Sequence, residues 1–274
     1  MRIVTFSRNG QIHHGVRDGD RVRIHPTATS AVDLAMNSGE HPVGEEVALA
    51  EVTLLAPVPR PGKVICIGLN YRAHAAEGGN AIPDYPSVFL RGATSLIGPA
   101  DPIILPDCSD KLDFEAELAI VIGKTATNVQ HDPLAYVAGY CCFNDGTIRD
   151  YQRKTSQWTA GKNFDGTGAF SVELVTPDEL PVGAAGLRIT ARLNGEIMQD
   201  SNTADMVFDA ATLITILSEA MTLEPGDVIA TGTPAGVGYA RTPPVFMREG
   251  DRIEIEIEAI GNAANVVARR NGQA

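Results

Sequence analysis

The stretch DFEAELAIVIG, Asp113 to Gly123, constrains the fold more than any other because it sets three carboxylates on alternate positions and then turns wholly apolar. In a strand, alternate side chains share a face. Asp113, Glu115 and Glu117 therefore point one way, while Phe114, Ala116, Leu118, Ile120 and Ile122 point the other, into a core. Like charges this close repel unless something positive lies between them. The stretch fits two readings: a solvated acidic strand face, or half of a cation site with oxygens arranged for a hard divalent metal.

A net charge of −12 on 274 residues argues against non-specific binding to nucleic acid or to an anionic membrane. An anionic substrate would need Arg and Lys placed locally. Cys66, Cys108, Cys141 and Cys142 lack CxxC spacing and read as reduced core or near-core thiols. MRIVTFSRNGQ has no long apolar run and no small-residue cleavage site, and no stretch of about 20 apolar residues occurs. A soluble, cytoplasmic protein is the expectation.

Residues 1–60 are expected to form a small, separate β-rich domain, with short hairpins around Arg-Asn-Gly and Arg-Asp-Gly-Asp turns. A short helix near Ala31 to Asn37 follows, capped by Ser30 or Asp33. His13, His14, His25 and His41 are scattered singly there and read as surface or packing residues. The closely spaced prolines of Ala56 to Lys63 mark a linker, and residues 61–274 form the larger domain.

In that domain His74 and Glu77 are three apart, on one face of a helical turn. Gly78-Gly79, Pro83 and Pro86 follow at once, the pattern of a poorly anchored lid. GYCCFND reads as a buried strand delivering Asp145 at its end. Thr147 and Asp150 have capping-box spacing for a helix on which Arg149 and Gln152 share a face. Asn194-Gly195 marks a hairpin. Thr212 to Met221 is an amphipathic helix with Leu213, Ile216, Leu217 and Ala220 on one stripe. RIEIEIEAIG is a strand with Ile253, Ile255 and Ile257 inward and Glu254, Glu256 and Glu258 solvated.

Walker A, G-x-G-x-x-G, HExxH and G-x-S-x-G motifs are absent. What remains is Glu115, Glu117 and Asp145, each on a strand or at its end, with a His–Glu pair and nearby Arg, Lys and Gln. Three oxygen donors without Cys or His favour Mg²⁺, Mn²⁺ or Ca²⁺ over Zn²⁺. They would also leave coordination positions open for water or substrate.

In order along the chain, GLNYRAHAAE, DFEAELAIVIG, GYCCFNDGTIRDYQ, GKNFD and LEPGDVIATGTPAGVG together resemble the fumarylacetoacetate hydrolase family, over about Val64 to Ile260. The resemblance implies an α+β fold, mostly β, in which a mixed β-roll catalytic domain carries a small N-terminal β-rich domain, and a homodimer. It implies Glu115, Glu117 and Asp145 as metal ligands and His74 with Glu77 as a water-activating pair on a lid. Arg149, Gln152 and Lys162 match positions that contact substrate or stabilise charge. Thr233 matches a threonine near the substrate carboxylate, and Asp113 is assigned a supporting role. Gly146-Thr147-Ile148 departs from the usual small β-branched residue, Ser or Thr, then Ala, which bears on substrate fit.

The expected activity is metal-dependent hydrolysis of a C–C bond in a 2,4-dioxo acid of acylpyruvate or fumarylpyruvate type. His74 would activate water, Lys162 with Gln152 would meet the oxyanion, and Arg149 would pair with the carboxylate of the small anionic substrate. Oxaloacetate decarboxylation, 2-oxo-acid hydration and isomerisation are the alternatives on the same residues, and an inert metal-binding scaffold is a further one.

Overall fold

The computed structural model describes residues 1–37, 44–79, 81–99 and 101–270. Its central strand, Ala116–Ile122, is buried at every position. It pairs antiparallel with Val137–Asp145 on one side and Val228–Ala230 on the other. Leu118, Ile120 and Ile122 enter one core, whereas Ala119 and Val121 enter a second. Alternation thus separates two interiors here, and no face of this strand meets solvent.

The first core lies between two sheets. Arg188–Leu193, Glu196–Asn202, Arg252–Ile257, Gly261–Arg269 and Ile103–Leu105 form the smaller one, which contributes Ile189, Ile253, Ile255 and Ile257. Burying each such side chain contributes about 1.5–3 kcal/mol. As expected from the RIEIEIEAIG pattern, Glu256 and Glu258 stay exposed, with Glu254 partly so. The larger sheet is mixed, since Val64–Gly68 runs parallel to Val228–Ala230 and antiparallel to Ser87–Arg91. The fold is α+β and mostly β.

The N-terminal strands have their own small core of Val4, Phe6, Val22, Ile24 and Val47, with a left-handed Asn9-Gly10 turn closing the first hairpin. Arg2–Arg8 pairs with Glu173–Val175, so these strands extend the larger sheet, satisfying an otherwise open strand edge. Ala31–Met36 is helical, and Ser30 Oγ accepts the Asp33 N–H. His14 is buried against Thr5, while His41 lies outside the described residues. Cys66, Cys141 and Cys142 are buried, Cys108 is exposed, and all four are free thiols.

Two local expectations change. The C-terminal helix runs Ala210–Ala220, capped by Asp209. It buries Ala210, Leu213, Ile214, Leu217 and Ser218 rather than a stripe through Ile216 and Ala220, because it packs on the turn Pro133–Tyr136. The Thr147–Asp150 capping box does not form. Thr147 Oγ1 donates to the Asp145 carbonyl instead, and Asp150 accepts from Ser109.

Candidate metal centre and active site

Glu115 and Asp145 come from distant parts of the chain, and strand pairing brings them together. The register sets Glu117 opposite Phe143 and Ala116 opposite Asn144. Asp145 therefore falls opposite Glu115, and its N–H donates to the Glu115 carbonyl at 3.0 Å. Glu115 and Glu117 share a face by alternation. One carboxylate oxygen from each of Glu115, Glu117 and Asp145 lies within 4.8 Å of the others. All three are buried, so the solvated-face reading does not hold.

Three buried cations surround this cluster. Lys162 Nζ is 2.7 Å from Glu115 and 2.5 Å from Asp145. Arg91 Nη1 is 2.5 Å from Asp145. Arg149 is 2.8 Å from Asp113 and 2.7 Å from Glu115. Asp113, 0% exposed, also accepts the N–H groups of Phe114, Gly238 and Tyr239, tying the glycine-rich loop to the carboxylate strand.

Glu117 alone of the four acids has no cation partner among the described residues; its carboxylate accepts the Gly232 N–H at 3.0 Å. Burial, reinforced by Asp145 and Glu115, pushes its carboxyl well up. Burial acts the same way on Glu115, but Lys162 and Arg149 overcome it and hold that carboxyl down. Four acids face three cations, and Glu117 is the acid left without an ion-pair partner among the described residues. An all-oxygen donor set with a local charge deficit fits a hard divalent ion.

His74 and Glu77 lie on the helix Arg72–Glu77, with Nδ1 3.2 Å from Oε2. Hydrogen bonds from residues in and beside this helix reach distant segments. Asn70 bonds to Phe208 and Thr231, and Arg72 to the carbonyls of Asp205 and Met206. Glu77 takes the Gly236 N–H at 2.9 Å. Burial would raise the Glu77 carboxyl, yet its bonds from His74 and Gly236 bring it below the usual value.

His74, Glu115, Glu117, Gln152, Lys162 and Thr233 all line one cavity of about 260 Å³. Phe89, Arg153, Trp158 and Tyr239 also line it. Trp158 packs so closely on Gly68 that a Cβ there would come 2.1 Å from its ring. Asp145 is covered by Lys162 and Arg91 rather than facing the cavity. Arg149 does not line it either; its guanidinium is engaged by Asp113, Glu115 and Gln152, and Nη2 is buried without a hydrogen-bond partner.

The sequence reading missed Arg91 and Gln199. Arg91 also bonds to Gly146, Thr167 and Ser95; an Arg ending an apolar strand, SVFLR, is the only local signal. Gln199 links the Ala116 N–H to the Thr233 hydroxyl. Arg91→Met leaves Asp145 with Lys162 as its only cation, which costs about 3–5 kcal/mol. That corresponds to a melting temperature lower by about 10 °C, read by thermal unfolding; an unchanged midpoint would contradict this account of Arg91.

Residues 63–268 match the fumarylacetoacetate (FAA) hydrolase C-terminal family, and residues 1–57 the Rv2993c-like N-terminal family. The chain is 46% identical over 221 residues to the mitochondrial oxaloacetate tautomerase FAHD2A of Bos taurus, covering 80% of this chain and 70% of that protein. Identity to FAHD2A of Homo sapiens, another mitochondrial oxaloacetate tautomerase, is 44% with the same coverage. Among solved structures, a fumarylacetoacetate hydrolase from Exiguobacterium antarcticum superposes with a TM-score of 0.87 at 36% identity, over 98% of this chain and 100% of that one. A 5-carboxymethyl-2-hydroxymuconate delta-isomerase from Mycobacterium smegmatis gives 0.83 at 33%, with the same coverage. The expected cytoplasmic location is overturned by these relatives, which are mitochondrial. That expectation rested on the lack of a secretory signal and of a long apolar stretch, neither of which separates the cytoplasm from an organelle. No helix among the described residues is long and apolar enough to cross a membrane.

Proposed function

The chain belongs to the fumarylacetoacetate hydrolase family, and from that premise we propose that it is a divalent-metal-dependent tautomerase of small 2-oxo acids of the oxaloacetate type. One observation carries the reading: a histidine oriented by a carboxylate opens onto the same small cavity as Glu115 and Glu117. At about 260 Å³ that cavity lies below the usual range for drug-sized ligands, which suits a small 2-oxo acid. The oxaloacetate tautomerases among the relatives support the same choice over C–C hydrolysis.

Glu115, Glu117 and Asp145 are the proposed ligands of Mg²⁺, with Mn²⁺ or Ca²⁺ as substitutes. When bound, the ion would supply Lewis-acid stabilisation of the negative charge that develops on the 2-oxo oxygen. The His74 Nδ1–H donates to Glu77, which leaves Nε2 as the base that takes a proton from C3 of the keto form and returns one in reverse. Glu77 holds the ring in that tautomer.

Thr233 accepts from Gln199, so its own hydroxyl proton is free to meet the substrate carboxylate. The Gln152 carbonyl accepts from Arg149, leaving its amide group to donate into the cavity. Lys162 holds the Glu115 carboxyl down and pairs with Asp145, and Arg149 positions Glu115 and Gln152. Binding to nucleic acid or membrane is not part of this reading, given the net charge of −12. Division of the chain near residue 60 and a homodimer of about twice 29.0 kDa are proposed with it, the latter checked by light scattering.

The test follows the enol absorbance of oxaloacetate beside pyruvate release from acylpyruvates, with Mg²⁺ and with EDTA. Acceleration of keto–enol exchange by the Mg²⁺-loaded protein is the expected result. Faster C–C cleavage of an acylpyruvate, or no acceleration of exchange, would overturn the proposal.

A further inference from the structure

We infer that Arg153 anchors the remote carboxylate of a dicarboxylic substrate and so separates 2-oxo diacids from 2-oxo monoacids. The inference rests on the tautomerase reading and specifies its substrate class. The buried cations near the cavity are already committed to acids: Lys162 to Glu115 and Asp145, Arg149 to Asp113 and Glu115, Arg91 to Asp145. Arg153 lines the same cavity but is exposed, which places it at the mouth. Its guanidinium has no carboxylate partner among the described residues.

The group is nevertheless held in place. Its central carbon lies 4.5 Å from the centroid of the Tyr239 ring, and that of Arg149 lies 4.4 Å from the same centroid. Stacking on an aromatic face orders a guanidinium before a ligand arrives, and the Tyr239 N–H is itself fixed on Asp113. Two cations over one ring repel. The charge of Arg149 is offset by its acids and that of Arg153 is not, so a ligand carboxylate at the mouth would supply the missing partner. A diacid whose 2-oxo-acid end faces Glu115 and Glu117 directs its second carboxylate outward, toward Arg153.

The test uses the full chain with Mg²⁺ and compares wild type, Arg153→Gln and Arg153→Lys. Oxaloacetate is set against 2-oxobutanoate, which has a methyl group where oxaloacetate has its remote carboxylate. Trp158, the only tryptophan in the chain, lines the cavity, so its fluorescence reports binding independently of turnover. Arg153→Gln is expected to raise KM and Kd for oxaloacetate about tenfold, as loss of a partly exposed charge-assisted pair does, with kcat within about twofold. Binding of 2-oxobutanoate should not change, and Lys should restore part of the loss. An unchanged Kd for oxaloacetate, an equal rise for both ligands, or no binding of oxaloacetate by wild type would overturn the inference. Binding that discriminates as expected without any keto–enol acceleration would instead overturn the tautomerase reading and leave the role of Arg153 standing.

Discussion

Glu117→Gln is expected to abolish Mg²⁺ binding and reduce turnover by at least about a thousandfold, while the metal-free protein becomes no less stable. Glu115→Gln is expected to reduce turnover equally, yet to destabilise the metal-free protein by about 3–5 kcal/mol. The two acids share one strand face and one cavity, so proximity alone would assign them the same effect. Their charge partners differ. Glu115 is clamped by Lys162 and Arg149, and neutralising it leaves two buried cations short of an acid. Glu117 has no ion-pair partner among the described residues, and its charged form is disfavoured by burial and by its acidic neighbours; replacing it with an amide therefore breaks no ion pair. Calorimetric titration with Mg²⁺ and thermal unfolding in EDTA read the two quantities separately. Retained Mg²⁺ affinity in Glu117→Gln, or a wild-type midpoint for Glu115→Gln in EDTA, would remove the basis of this assignment.

That contrast also marks how far the sequence could be read. Alternation fixes phase, so DFEAELAIVIG placed Glu115 and Glu117 together and the even-numbered apolar residues in a core. Phase carries no information about depth. Whether the acidic face meets water depends on Val137–Asp145, Val228–Ala230 and the loops beyond them, and the order of motifs along the chain, not local pattern, pointed to their convergence. Arg91 stayed hidden because its partner Asp145 is 54 positions away and nothing near either residue announces the pair. The role of Arg149 changed for a similar reason. Its spacing to Gln152 was legible, but its engagement by Asp113 and Glu115 depends on how two strands and a loop close around it. The glycines and prolines after His74 suggested a loose lid, whereas the anchors of that helix, through Asn70 and Arg72, lie more than a hundred residues onward. Hairpins and caps, whose determinants sit within a few residues, were mostly readable, as at Ser30 and Asn9-Gly10.

His74→Ala is expected to lower kcat for oxaloacetate tautomerisation by about a hundred- to ten-thousandfold, the usual contribution of a positioned acid–base group, with Mg²⁺ affinity unchanged. The ring touches none of the three candidate ligands through any hydrogen bond, and its defined partner is Glu77. Its loss should therefore leave the carboxylate cluster intact. Glu77→Gln should cost less, because an amide can still accept from Nδ1–H but no longer stabilises the positive charge the ring gains after taking a proton. The variants also separate two chemistries that share these residues. If His74 removes a proton from C3, oxaloacetate deuterated there turns over more slowly with wild type, and this isotope effect accompanies only the His74-dependent rate. If His74 instead activated water for attack on a carbonyl, deuterium at C3 would leave the rate of bond cleavage nearly unchanged. A His74→Ala enzyme that keeps wild-type kcat would show that proton transfer is carried by some other group, and the His–Glu pair would then be a structural feature of the helix.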